Sequence, residues 1–282
     1  MGSGPLQLDH ESLVRTANAL PPLPLTLTRL MDLFADEQYD LRDVVRTVKL
    51  DATLVGRLLR LANSAAYGSR PTASTEEAIL RVGSGAVLSI AMSDSVRPKK
   101  NPDLSAFDLT PDSYWRHAVA CMACGQELSK LLSNRLSDEL LLSALLHDFG
   151  KLVLSEFLTD DHKKALHDRS VDMPFINREM AVLSVNHAEV GAVVAQAWKL
   201  PESIARAVQY HHTPDDCGSD LCYGLCISNF LAWMVEGQPE RWTAEGDVFQ
   251  AATDSFSLHR DSLSDVVRHA RKRLDDTLEA FA

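Results

Sequence analysis

The chain has 282 residues, 45% of them hydrophobic, and a formal net charge of −11. That length suits one large or two small domains, and the apolar share is enough for a real core. The acidic balance argues against a sequence-independent nucleic-acid surface, which needs clustered Lys and Arg to displace counterions. No apolar run approaches the about 18 residues that a membrane span requires, since Ser143 interrupts the densest stretch, 140–146. The expected setting is therefore cytoplasmic, with no membrane partner, and the five cysteines are expected as reduced thiols. Residues 1–7 read as a tag-like start and are left out of the fold.

The elements read as helices in succession. Leu41, Val44, Val45 and Val48 behind Asp40, then Val55, Leu58, Leu59 and Ala62 behind Asp51, each mark one face of a 3.6-residue period. Ser74 and Glu77 have capping-box spacing, and the helix they open stops at Gly83. Residues 96–112 carry Pro98, Pro102 and Pro111 and read as a crossover. Pro111 behind Thr110 starts a long helix to about Ser133. Ser137 caps the next helix, which is expected to end at His147-Asp148-Phe149-Gly150 with Gly150 as its C-terminal glycine. Further helices fall near 175–185, 187–199, 201–212 and 218–236, and an amphipathic pair covers about 245–281. No alternating run signals a strand. The fold class is all-α: a multi-helix bundle over 108–240, a smaller N-terminal helical subdomain over 8–95, and a C-terminal helical extension over 245–282. The basic runs at 97–100 and 268–273 read as a solvated loop and a solvated helix face.

Histidines recur at helix ends, where a bundle can gather them around one pocket. His117 lies on the long helix, and His147 and Asp148 are adjacent. His187 opens a helix, and His211-His212 close another, with His211 in register with the apolar Ile204, Ala207 and Val208. Imidazole beside carboxylate suits a divalent transition metal, and a carboxylate can bridge two ions. Lys151, one turn after Asp148, suits a phosphate ester. Cys121 and Cys124 share a helix face with His117, but no second Cys pair follows at zinc-finger spacing, so buried core thiols are the simpler reading. The turn Asn63-Ser64-Ala65-Ala66-Tyr67-Gly68 reads as a helix terminator.

The order of these motifs resembles the HD superfamily of metal-dependent phosphohydrolases, and within it the HDOD (HD-related output domain) family. The resemblance rests on Leu20-Pro21-Pro22-Leu23-Pro24, Leu58-Leu59-Arg60-Leu61-Ala62-Asn63-Ser64-Ala65-Ala66 and Ala78-Ile79-Leu80-Arg81-Val82-Gly83. It continues through His147-Asp148-Phe149-Gly150-Lys151, His187-Ala188-Glu189-Val190-Gly191, Trp198-Lys199-Leu200-Pro201 and His211-His212-Thr213-Pro214, over about 12–240. It implies an HD-like bundle and a bacterial signal-transduction output or scaffold module that acts through protein partners without turnover. It also implies His117, His147, Asp148, His187, His211 and His212 as ligands of a divalent metal such as iron or manganese. Asp148 and Lys151 would act on substrate if the site were active. Asn229 stands where active HD enzymes close the site with Asp, and Ser113 stands where the cyclic-dinucleotide phosphodiesterases of the HD-GYP group carry Glu. The alternatives are a metal-dependent phosphohydrolase acting on a nucleotide or cyclic dinucleotide, and a sensor that binds a nucleotide-type ligand without turnover.

Overall fold

The structure, a computed structural model, describes residues 10–281 apart from 37, 69, 99–100, 134–135, 137, 169 and 171–172. The expected Ser137 cap, the lysines at 99–100 and the 1–7 start lie outside the described residues. The helices in chain order are α1 His10–Ala19, α2 Leu25–Phe34, α3 Leu41–Val48, α4 Ala52–Ala62, α5 Thr75–Val82 and α6 Ser84–Val96. Then follow α7 Pro111–Leu131, α8 Glu139–Leu146, α9 Phe149–Ser155, α10 Asp160–His167, α11 Phe175–Leu183 and α12 His187–Ala197. The last are α13 Glu202–Gln209, α14 Pro214–Cys217, α15 Asp220–Val235, α16 Gly246–Ser255 and α17 Arg260–Ala280. Short 3₁₀ segments lie at Ser105–Phe107 and Pro239–Glu245, and no strand occurs among the described residues. The all-α reading stands.

Local chemistry sets the helix starts. Asp40 and Asp51 accept from the backbone N–H of Arg42 and Leu54, which satisfies first-turn donors that a helix leaves unpaired. Ser74 caps α5 through the Glu77 N–H, but the Glu77 carboxylate turns away to Thr72 and Arg81, so the box is one-sided. Thr110 and Ser113 cap α7 reciprocally, with Pro111 at its first position. Ser113 therefore has a structural task.

One buried apolar cluster runs through the described chain from Ala17 to Phe281. The buried face of α7 packs against α8, α15 and α17, which makes α7 the central helix. At the turn after α4, the Asn63 side chain pairs with both backbone groups of Thr72 at 2.7 and 2.8 Å. Tyr67 beyond it donates to Gln126 at 2.7 Å. This turn is the helix terminator that the sequence suggests.

Two expectations need correction. The run 268–273 is not simply solvated: Arg271 donates to the Met234 and Val235 carbonyls at 2.8 and 3.1 Å, and Arg273 pairs with Glu127 at 2.6 Å. These bonds clasp α17 to α15 and α7. The cysteines are not all thiols either. Cys217 and Cys222 are joined as a disulfide across the α14–α15 turn, while Cys121, Cys124 and Cys226 are free and buried. Burial pushes those three thiols up, so they stay protonated core residues.

No single described helix is long and apolar enough to cross a membrane. The pair α5 and α6 is jointly apolar, but it is bent by 103° at Gly83. Its residues contribute to the protein core.

Candidate metal centre

Five helix ends or faces converge on one point. The α8 helix stops at Leu146, so the backbone turns at His147 and Asp148 before α9 begins. Gly150 is therefore not a C-terminal glycine but sits inside α9. Its role is close approach, since a Cβ there would overlap the His187 carbonyl oxygen. Gly191 repeats the device one layer on, because a Cβ would meet Val208 Cγ1 at 2.8 Å. These two glycines let α9, α12 and α13 stack closely enough to bring the histidines together. Asn186 caps α12 in a reciprocal box with Glu189, which fixes His187 at the first helical position.

The rings form a continuous series. Centroids are 5.3 Å apart for His117–His147, 5.1 Å for His147–His211, 5.4 Å for His187–His211 and 4.1 Å for His211–His212. Ligand atoms of His117, His147 and Asp148 lie within 4.8 Å of one another, as do those of His187, His211 and His212. Asp148 Oδ1 is 3.3 Å from His187 Nε2, so the lone aspartate sits between the two groups.

The outer nitrogens decide what the inner ones can do. His147 Nδ1 donates to the Ala144 carbonyl and His211 Nδ1 to the Val208 carbonyl, both at 2.7 Å. His187 Nδ1 donates to Glu179 at 2.6 Å, His212 Nδ1 to Glu245 at 2.8 Å and His117 Nδ1 to Glu236 at 2.7 Å. A proton held on Nδ1 leaves Nε2 as a bare lone pair, the tautomer that second-shell acceptors impose on metal-binding histidines. His147 Nε2, His211 Nε2 and Asp148 Oδ1 are buried with no hydrogen-bond partner among the described residues. His187 Nε2 and His212 Nε2 face each other at 3.2 Å. Two lone pairs at that distance repel unless a proton or a metal ion lies between them, and in the metal-free chain the raised His187 imidazole can supply that proton. Buried acceptors that face one another without a donor are a poor arrangement for a core and a good one for a divalent ion. The residues fit a metal.

His117 is the exception. Its Nε2 is 2.9 Å from the Asn229 side chain and its ring stacks on Trp233 at 3.7 Å. Either orientation of the amide occupies that nitrogen. The structure thus brings Asn229 into the cluster as a contact on His117. Lys151 is also taken, its Nζ bonding Asp148 Oδ2 at 2.7 Å in a buried pair.

Electrostatics follow from burial and neighbours. Burial pushes His147 down to about 3, against the pull of Asp148, and holds His211 well below the imidazole range. Burial would raise Asp148, but Lys151, His147 and His187 outweigh it and keep the carboxyl well below its usual range. For His187 burial is likewise outweighed, here by Glu179, and the imidazole is raised. The sign for stability is definite. His147 and His211 take up protons near pH 6.5 when unfolded but resist them when folded. The metal-free chain should therefore lose stability as pH falls from about 6.5 towards 3, by up to about 1.4 kcal/mol per pH unit for each group. His187 acts in the opposite sense, its contribution present below 6.5 and lost as pH rises through its folded value. With two groups against one, urea midpoints of the chelated protein should be lower at pH 5 than at pH 7.5. Equal midpoints would contradict the assignment of His147 and His211 as buried and neutral.

Sequence reasoning missed Glu179, Glu236 and Glu245, the acceptors behind three rings. Only Glu236 left a signal, falling two turns after Asn229 on the same helix face. It also missed Tyr114, one turn before His117, which is fully buried with a hydroxyl that has no partner among the described residues. Burial raises that phenol, and the Asp148 charge raises it further.

The model of the HDOD domain matches residues 20–214. The chain belongs to the HDOD family. An uncharacterized protein of Treponema pallidum (strain Nichols) is 26% identical over 206 residues, which is 71% of this chain. The chain spans only 39% of that relative's length. A candidate phosphohydrolase from Shewanella amazonensis SB2B superposes with a TM-score of 0.71 at 23% identity, covering 96% of this chain and 98% of its own. A candidate signal transduction protein from Marinobacter aquaeolei VT8 gives 0.65 at 21% identity, over 98% of this chain and 66% of its own. At these identities the two structures establish the HD-like helical fold of this HDOD chain.

Proposed function

We propose that this HDOD chain is a signal-transduction output module whose imidazole cluster holds a divalent transition metal and which works through protein partners without turnover. The observation that carries the reading is the set of Nδ1 donors, which turns the Nε2 atoms of His147, His187, His211 and His212 inward, around Asp148. Imidazole-rich sites of this kind take iron, manganese or zinc. Bound there, the ion would supply Lewis acidity and tie α9, α12 and the segment after α13 together.

Two contacts argue against hydrolysis. Asn229 occupies His117 Nε2, which takes that imidazole out of the half of the cluster shared with His147 and Asp148. Lys151 is neutralised by Asp148 and is not available to a phosphate. The candidate phosphohydrolase from Shewanella amazonensis keeps the enzymatic reading open as the alternative, with a nucleotide or cyclic dinucleotide as substrate class.

Elemental analysis of purified protein, paired with a phosphodiesterase assay on bis(p-nitrophenyl) phosphate with added manganese, separates the two. The expected result is bound metal and no turnover above protein-free controls. Turnover that disappears in His147→Ala and Asp148→Ala would establish the enzyme instead.

A further inference from the structure

The bond between Cys217 and Cys222 is the one disulfide among the described residues. The remaining cysteines, Cys121, Cys124 and Cys226, are fully buried free thiols. Cys217 is half-buried at the end of α14, whereas Cys222 is fully buried in the first turn of α15. The two lie five residues apart in sequence. A ring that small removes little loop-closure entropy from the unfolded chain, so the fold as a whole does not depend on the bond. Opening it is a local event.

The unequal access of the two sulfurs sets which reagent opens it. Exchange begins when a thiolate attacks a disulfide sulfur, and here only Cys217 is open to solvent. The attack joins the reagent to Cys217 and releases the Cys222 thiol, which stays beside the mixed disulfide. A monothiol is then expelled again by Cys222, and the original bond re-forms. A dithiol instead turns its second sulfur on its first. It leaves as a cyclic disulfide, having passed two electrons and two protons to the protein, and both cysteines are thiols. Oxidation runs in reverse from a disulfide reagent, which takes up those electrons and protons and leaves as two thiols.

α14 stands between this bond and the imidazole cluster. It has four residues, too few to hold a helix unaided, and Thr213 alone separates it from His212. It packs against α13, α15 and α16. α13 leads into His211 and His212, and Glu245, which holds His212 Nδ1 at 2.8 Å, immediately precedes α16. Both attachments of His212, its backbone and its carboxylate partner, therefore border on α14. Besides the disulfide, a hydrogen bond from Tyr223 to Asp215 at 2.9 Å ties α14 to α15, and it lies exposed at the surface. We infer that Cys217 and Cys222 form a redox-exchangeable pair opened by a dithiol, and that opening it loosens α14 and shifts the seat of His212. The chain thereby gains an input that does not depend on whether the cluster holds metal.

The test uses the full chain, freed of metal by chelation. Samples are equilibrated with oxidised glutathione, with dithiothreitol, or with 2-mercaptoethanol at the same thiol concentration. They are then unfolded in iodoacetamide and weighed by mass spectrometry. Three alkylated cysteines are expected after oxidised glutathione and after 2-mercaptoethanol, and five after dithiothreitol. In the reduced chain the Gly218 N–H, which bonds the Pro214 carbonyl at 2.8 Å, should exchange with solvent at least about tenfold faster than in the oxidised chain. The ring signals of His212 in proton–nitrogen spectra should move between the two states. Cys217→Ala combined with Cys222→Ala should match the reduced chain whichever reagent is present. Five labels after oxidised glutathione, or three after dithiothreitol, would overturn the exchangeable pair. Five labels after 2-mercaptoethanol would overturn the dithiol assignment. Unchanged Gly218 exchange, unmoved His212 signals, or a double variant that matches the oxidised chain would overturn the coupling to the cluster.

Discussion

Replacing Asp148 with alanine should remove metal from the cluster and destabilise the metal-free protein as well, two effects that a single ligand rarely combines. The first follows because Asp148 Oδ1 is the one anionic atom between the two imidazole groups. Without it an ion would face neutral nitrogens only, and affinity should fall by more than the about 10–100-fold cost typical of an outer-shell change. The second follows because Asp148 Oδ2 neutralises Lys151 in a pair that is 3% and 11% exposed. Breaking a buried pair from one side leaves an uncompensated charge and costs about 3–5 kcal/mol. Asp148→Asn separates the effects, since the amide keeps the shape and one acceptor while losing the charge. Chelated Asp148→Ala should melt well below chelated wild type, with Asp148→Asn between them. If all three chelated proteins melt together, the pair does not carry the structural weight assigned to it.

Gly150→Ala should be the most damaging small substitution in the chain. The added methyl would overlap the His187 carbonyl oxygen, which is backbone and cannot swing aside. α9 must then move away from α12, separating Asp148 from His187. Overpacking of this kind costs about 3 kcal/mol or more, and here it also opens the cluster. Gly56→Ala is the internal control. Gly56 lies within α4, and an added methyl there would meet nothing within 4 Å, so alanine should stabilise by about 0.4–1 kcal/mol. Denaturant melts of the two variants should move in opposite directions. A Gly150→Ala protein as stable as wild type would show that the close stacking of α9 on α12 is not needed to build the site.

Much of this fold was legible because helix signals are local. Asp40, Asp51, Ser74, Thr110 and Pro111 announce helix starts through groups within three residues, and the structure finds each in that role. Gly150 was misread for the same reason: a glycine after an apolar helix has the local look of a terminator. The His187 carbonyl that forbids a side chain there comes from 37 residues away, and no short-range pattern encodes it. The gathering of His147, His187, His211 and His212 was legible from their order and their place at helix ends. Their acceptors were not, because Glu179 and Glu245 lie 8 and 33 residues from the rings they orient and share no periodicity with them. The Cys217–Cys222 bond also escaped, because an odd cysteine count with no framework spacing reads as free thiols.

A metal in this cluster depends on imidazoles whose outer nitrogens keep their protons, so that the inner ones can turn to a common ion. Long-range proton–nitrogen spectra of the metal-free chain, followed through a zinc titration, read this directly. The predicted result is Nδ1–H tautomers for His147 and His211, with the Nε2 signals of His147, His187, His211 and His212 shifting together as zinc reaches stoichiometry. Protons found on Nε2 of His147 and His211, or Nε2 signals indifferent to zinc, would contradict it.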